Sequence, residues 1–138
     1  MVLRDHTLPD RDWTVLPAGS RAFWFPAPSG NLAAFELGDP AAPRIVLLPG
    51  ATGSKEDFVL LAPLLADAGY FVHSHDLAGH YQACAAGPGG TEPWDYAPFV
   101  ADLIVFPDAG PTPVHVLGYS IAGIVAELAL AALYRAAG

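Results

Sequence analysis

The chain has 138 residues, of which 53% are hydrophobic and 14% are charged, so it is long and apolar enough for one globular domain and unlike a disordered segment. Its net charge is -8 and its six basic residues are scattered singly, which argues against nucleic acid or an anionic membrane as a partner. The single cysteine, Cys84, excludes an internal disulfide and leaves no ligand cluster for zinc. We therefore expect no metal and no cofactor.

The ends of the chain bear on its location. The N-terminus lacks the apolar run of a secretory signal, and the longest apolar stretch, residues 121–134, is too short for a membrane span and contains Glu127. We therefore expect a cytoplasmic protein without membrane association. Residues 1–20 are predicted to be an N-terminal extension, and residues 21–138 a single domain.

The domain is predicted to start with a β-hairpin of residues 21–25 and 31–37, because two apolar, aromatic runs flank a turn rich in Pro and Gly. The RIVLL run at residues 44–48 has no polar alternation, which is typical of a parallel strand covered on both faces. Helices and strands then alternate. The predicted elements are a helix from the cap Ser54 to Gly69, a strand 70–75, a loop 87–93, a helix from Asp95 to before Pro107, a strand 114–117 and a helix 120–137.

This order of elements predicts right-handed crossovers and therefore an α/β fold. The expected architecture is a three-layer α/β/α sandwich with a mostly parallel sheet and an antiparallel N-terminal hairpin. Sheets of this kind place their sites at the carboxyl ends of the strands.

The sequence GYSIAG, residues 118–123, stands where the last strand turns into the last helix. A serine in such a turn is exposed above the sheet, at a helix N-terminus that favours developing negative charge. Gly118 and Ala122 leave room for the two backbones to approach, and Gly123 helps the helix to pack on the strand. Ser120 is therefore a candidate nucleophile. The alternative is that it only caps the last helix.

Two further segments follow strands, LLPGATGS at residues 47–54 and DLAGH at residues 76–80. Together with GYSIAG, and in this order, they resemble the motifs of the α/β-hydrolase superfamily over residues 21–138. Three positions depart from the usual pattern of that family. Pro49 stands where histidine is usual, Tyr81 where glycine is usual, and Ala122 where glycine is commonest.

The resemblance implies a serine hydrolase that acts on an ester or a related acyl bond of a small molecule. The backbone N–H of Ala51, the residue after Gly50, and that of Ile121 would form an oxyanion hole. Asp76 would order its loop by hydrogen bonds and would not be the triad acid. The LLPGATGS segment has an alternative explanation, which is that Ser54 only caps the next helix.

The resemblance further implies that the triad acid and histidine follow the serine along the chain. After Ser120 the sequence has only Glu127, about 10 Å into the helix, and no histidine. His80 is a candidate base near the correct sheet edge, although the family's strand order places about 9.6 Å of sheet between it and the serine. His73 and His75 are expected to be core residues of a buried strand.

The sequence thus predicts the N-terminal half of an α/β-hydrolase fold, with an apolar last strand at an exposed sheet edge and an apolar last helix. One hypothesis is a serine hydrolase that needs a complementing C-terminal half. A second is a non-catalytic binding or assembly module that pairs through this edge with itself or with another protein. A third is a small complete enzyme that uses His80 as its base.

Overall fold

The structure, a computed structural model, describes residues 12–83, 95–108, 110 and 113–138. The predicted loop 87–93 lies outside these residues, as does most of the predicted N-terminal extension. The elements in chain order are β1 (Arg21–Ala27), β2 (Gly30–Leu37), β3 (Arg44–Leu48), a 3-10 turn (Lys55–Phe58), α1 (Leu61–Asp67), β4 (Phe71–His75), a 3-10 turn (Tyr81–Ala83), α2 (Ala97–Leu103), a 3-10 turn (Phe106–Asp108), β5 (His115–Gly118) and α3 (Ile121–Ala137).

The strands form one mixed sheet in the order β1-β2-β4-β3-β5. β1 and β2 are the antiparallel hairpin, and β2 also runs antiparallel to β4. β3 lies between β4 and β5 and is parallel to both. The predicted antiparallel start and parallel continuation are confirmed, and the carboxyl ends of β3, β4 and β5 meet at one edge of the sheet.

Helices cover both faces of the sheet, because successive residues of a strand point to opposite faces. Val46 and Leu48 of β3 belong to a core shared with α2 and α3. Leu47, between them, belongs to a core on the opposite face that includes Ala62 of α1. This is the predicted three-layer arrangement. Leu16, from the predicted extension, also packs against the second core.

The segment after Ser54 differs from the prediction of a continuous helix. It forms the short 3-10 turn Lys55–Phe58, and α1 begins only at Leu61. The Lys55 N–H donates to Asp76 Oδ1 at 2.8 Å. The turn is therefore shaped by a residue that follows β4, a contact that spacing along the chain does not reveal.

β5 is the terminal strand of the described sheet and exposes apolar side chains. Val116 is 40% exposed and Leu117 is 38% exposed. The neighbouring helix α3 exposes further aliphatic side chains, namely Ile124, Leu128, Leu130 and Leu133. A depression of about 350 Å³ lies between α2, β5 and α3 and is lined mostly by apolar residues. This surface, called below the β5–α3 face, is the apolar edge that the sequence predicts.

Candidate active site

Ser120 occupies the turn between β5 and α3, with φ 57° and ψ -122°. Such a backbone conformation costs on the order of 1–3 kcal/mol for a residue other than glycine, and the surrounding packing must offset that cost. Its side chain makes no hydrogen bond to the helix N-terminus, and the residue is exposed. The structure therefore disagrees with the simple capping explanation of Ser120 and leaves its hydroxyl free above the sheet.

Close backbone contact holds this turn in place. A side chain at Gly118 would overlap the Ala122 backbone and come within 2.7 Å of the Gly123 nitrogen. Ala122 itself is fully buried. At Gly123 an added Cβ would lie 3.5 Å from the Gly118 carbonyl oxygen, an ordinary contact distance, so the space there does not demand glycine. The restriction to small residues falls on Gly118 and Ala122.

The loop after β3 meets the turn after β5 at the same edge of the sheet. Leu48 pairs with Gly118 in the parallel register, and the Tyr119 N–H donates to the Leu48 carbonyl oxygen at 3.1 Å. A Cβ at Gly50 would lie 3.3 Å from the Ser120 Cβ. The absence of a side chain at Gly50 therefore lets the β3 loop approach the serine closely.

The two predicted oxyanion donors are the backbone N–H groups of Ala51 and Ile121, which come directly after Gly50 and Ser120 in the chain. The N–H of Gly53 donates to the Gly50 carbonyl oxygen at 3.1 Å, which closes the turn and leaves the Ala51 N–H outside that hydrogen bond. Ile121 is the first residue of α3, where a backbone N–H has no acceptor within the helix. Both N–H groups thus belong to segments that border Ser120.

Asp76 is fully buried at the end of β4, and its hydrogen bonds connect this strand end with Lys55 and with Gln82. Its carboxylate accepts the Lys55 N–H at 2.8 Å, the Lys55 ammonium at 3.3 Å and the Gln82 N–H at 3.2 Å. Burial raises the pKa of Asp76, and the hydrogen bond from the Lys55 N–H opposes that change. These contacts connect the loop after β4 to the turn that contains Lys55.

His80 lines a depression of about 320 Å³ together with Ala51 and Tyr81. Its Nδ1 lies 3.0 Å from the Ala78 carbonyl oxygen, which favours a proton on Nδ1 and leaves Nε2 as an acceptor. The strand order confirms that β3 separates the strand before His80 from the strand before Ser120. In the part of the chain that the structure describes, no hydrogen bond joins a histidine to Ser120.

His73 and His75 are buried on one face of β4, where His73 Nε2 and His75 Nδ1 lie 2.8 Å apart. The ring of Phe106 packs 4.7 Å from the ring of His73, centroid to centroid. Burial lowers the pKa of His75 to about 3 and lowers that of His73 well below its usual value. Both histidines are therefore neutral core residues, as expected.

Sequence reasoning missed the buried Lys55. Its ammonium is almost wholly covered and contacts three oxygen atoms, Glu56 Oε1 at 2.9 Å, Asp76 Oδ2 at 3.3 Å and Gln82 Oε1 at 2.7 Å. Nothing in the local pattern distinguishes this lysine from a solvated one.

Tyr81 has φ 44°, a conformation that favours glycine, at the position where the family has glycine. The unusual conformation of Tyr81 could have been found from the sequence, because tyrosine replaces the glycine of the family pattern there.

Across residues 12–83, 95–108, 110 and 113–138, no group of three or more potential metal ligands comes together. None of the helices described there is both long enough and apolar enough to span a bilayer.

The mixed sheet, its helical layers and the strained serine between a parallel strand and a helix define an α/β protein of the hydrolase type. A family model described as the alpha/beta hydrolase family matches residues 45–138. The chain belongs to this family. Among curated proteins the sequence has no significant match.

Solved structures of several enzymes share the fold. Epoxide hydrolase A from Mycobacterium thermoresistibile is 24% identical with a TM-score of 0.70, and the match covers 80% of this chain and 34% of that one. A putative lipase from Acinetobacter baumannii AYE is 23% identical with a TM-score of 0.67, and the match covers 81% of this chain and 37% of that one. The thioesterase domain from the curacin biosynthetic pathway is 19% identical with a TM-score of 0.66, and the match covers 78% of this chain and 38% of that one. The matched region is thus little more than a third of each of these proteins.

Proposed function

We propose that this chain supplies the nucleophile and the oxyanion donors of a serine hydrolase acting on an ester or a related acyl bond of a small molecule. The observation that carries the proposal is the backbone of Ser120, held at φ 57° without a side-chain cap. A serine that only began a helix would adopt an extended conformation and accept a hydrogen bond from the first turn. Strain kept at an exposed hydroxyl is typical of a reactive position.

The reaction would begin with attack of Ser120 Oγ on the acyl carbon, while the hydroxyl proton passes to a base. The carbonyl oxygen becomes an oxyanion that the N–H groups of Ala51 and Ile121 stabilise, by roughly 3–4 kcal/mol for each well-aimed donor. Collapse of the tetrahedral intermediate expels the alcohol and leaves an acyl group on Ser120. Water then releases the acid and restores the serine.

The base and its partner acid would come from the part of the fold that the matched structures contain beyond the region they share with this chain. Those structures are about three times as long as the matched region. A further strand beside β5 would pair the backbone of that edge and cover the exposed side chains of Val116 and Leu117. We infer that a complementing C-terminal part of the fold occupies the β5–α3 face.

A second candidate function is that of a non-catalytic assembly module. The observation that favours it is the same β5–α3 face, which could pair with a second copy or with another protein instead. The two candidates differ in what they require of Ser120. Assembly through β5 does not depend on the serine hydroxyl, whereas acyl transfer does.

The proposal is tested by the release of p-nitrophenol from p-nitrophenyl acetate, measured for the chain, for Ser120→Ala and for Ser20→Ala. Ser20 is a matched control because its hydroxyl only donates to the carbonyl oxygen of Pro17 in a local turn. We expect a slow, near-stoichiometric release that Ser120→Ala abolishes and Ser20→Ala leaves unchanged. Equal release by all three proteins would refute the nucleophile assignment.

A further inference from the structure

Two adjoining depressions lie beside the loop that carries Ala51. One, of about 320 Å³, is lined in part by Ala51 and His80. The other, of about 210 Å³, is lined in part by Trp13 and Glu56. They share three lining residues, Ser54, Asp57 and Tyr81. A ligand in the second depression would therefore reach toward the proposed oxyanion donor through the first.

The charges around the second depression are unbalanced in favour of a cation. Glu56 and Asp57 both line it. The neighbouring Lys55 ammonium is buried and already contacts Glu56 Oε1 at 2.9 Å and Asp76 Oδ2 at 3.3 Å. Lys55 thus pairs with two carboxylates, Glu56 and Asp76, and Asp57 adds a further negative charge to the lining of the depression. The local electrostatics favour a cation and disfavour an anion.

Glu56 also carries an acceptor without a donor. The residue is 8% exposed, and its Oε2 is buried with no hydrogen-bond partner, although Oε1 pairs with Lys55. A buried carboxylate oxygen that is left without a hydrogen-bond donor destabilises the protein. Glu56 lines the depression, so a rotation of its carboxylate toward the opening would let a ligand N–H donor reach Oε2 and recover that free energy.

Two aromatic side chains complete the second depression. Trp13 is 54% exposed and Tyr81 is 53% exposed. The Tyr81 ring lies 5.3 Å from the Lys55 ammonium, measured to the ring centroid, so a cation already lies near its π-system. Aromatic faces combined with carboxylates are a typical environment for organic ammonium groups.

We propose that the depression formed by Trp13, Glu56, Asp57 and Tyr81 binds an aliphatic ammonium group that carries N–H donors. Here the inference rests on the proposed function. The ester substrate would itself bear such an ammonium group, which would anchor the substrate with its acyl carbon toward the Ala51 loop. The ammonium binds as a cation, and no bond is made or broken in this step. Its N–H groups donate to Glu56, and its alkyl part contacts the two rings.

The experiment is a titration of the ¹⁵N-labelled chain with n-butylammonium, followed by NMR, with tetramethylammonium and neutral 1-butanol as comparison probes. We expect saturable shifts of the Trp13 indole and the Tyr81 amide with n-butylammonium. Tetramethylammonium, which lacks N–H donors, is expected to bind roughly tenfold more weakly, the loss expected for a missing charge-assisted hydrogen bond. Equal shifts with 1-butanol, or no saturable shift with n-butylammonium, would overturn the proposal.

Two variants localise the binding. Glu56→Gln and Asp57→Asn are each expected to weaken n-butylammonium roughly tenfold, whereas Glu127→Gln, a matched carboxylate change on α3, leaves it unchanged. If Glu56→Gln disturbs the fold through Lys55, the exposed Asp57 still provides the test. Equal affinity in Asp57→Asn and the parent chain contradicts the site. Ser120→Ala should bind normally, so a failure of the ammonium site is distinct from a failure of the nucleophile assignment.

Discussion

The contact between Gly118 and α3 gives a quantitative test of the turn that carries Ser120. In Gly118→Ala the new methyl would overlap the Ala122 backbone and lie 2.7 Å from the Gly123 nitrogen, so β5 and α3 must move apart. Overpacking of this kind costs about 1–3 kcal/mol of unfolding free energy. The neighbouring Gly123→Ala adds a methyl only 3.5 Å from the Gly118 carbonyl oxygen and replaces a helical glycine, which stabilises by about 0.5–1 kcal/mol.

The two variants should therefore differ by about 1.5–4 kcal/mol, in opposite directions from the parent chain. Urea unfolding followed by tryptophan fluorescence measures this difference. With an m-value of about 1.5 kcal/mol per molar urea, the midpoints should separate by more than about 1 M. Gly118→Ala should also slow p-nitrophenol release, because the Ser120 turn is displaced. A Gly118→Ala variant as stable as Gly123→Ala would refute the close-contact reasoning.

Three further predictions concern buried polar groups. Lys55→Met should lower the unfolding free energy by about 3–5 kcal/mol, because the buried carboxylates lose their cation. Asp102→Ala should cost about 2 kcal/mol, because the N–H and hydroxyl of Ser29 lose their acceptor. The depressed pKa values of His73 and His75 mean that the unfolded chain binds more protons, so stability is present above about pH 6.5 and falls below it, by about 1.4 kcal/mol per pH unit for each histidine.

Each of these predictions has an outcome that would contradict it or a matched variant. Urea midpoints at pH 7.5 and 5.0 that coincide would contradict the histidine prediction. Asp102→Asn keeps one acceptor and should cost less than Asp102→Ala in the same assay. For Lys55, Arg135→Met removes a cation from the exposed end of α3 and should change the unfolding free energy little.

The strands were predictable because their pattern is local. The RIVLL run was bounded correctly as Arg44–Leu48, since a continuous apolar segment between turn signals leaves little freedom. The position of Ser120 between β5 and α3 also followed from local order. No local pattern of residues encodes its backbone φ of 57°.

Long-range contacts explain what sequence reasoning missed. The turn Lys55–Phe58 replaced the predicted helix start because Asp76, some twenty positions later, accepts the Lys55 N–H. Lys55 likewise pairs with both Glu56 and Asp76, and Glu56 Oε2 has no hydrogen-bond partner. Charge pairing of this kind is decided by the packing of two loops and has no period along the chain.

We propose that Ser120 is a nucleophile that works with a base from a complementing part of the fold. The most direct test of this proposal is mass spectrometry of the chain after treatment with p-nitrophenyl acetate, with and without added imidazole as a substitute base. We expect one acetyl group on the peptide that contains Ser120, formed faster with imidazole and absent in Ser120→Ala. Acetylation confined to other residues, or adduct formation at Ser120 that imidazole does not accelerate, would contradict it.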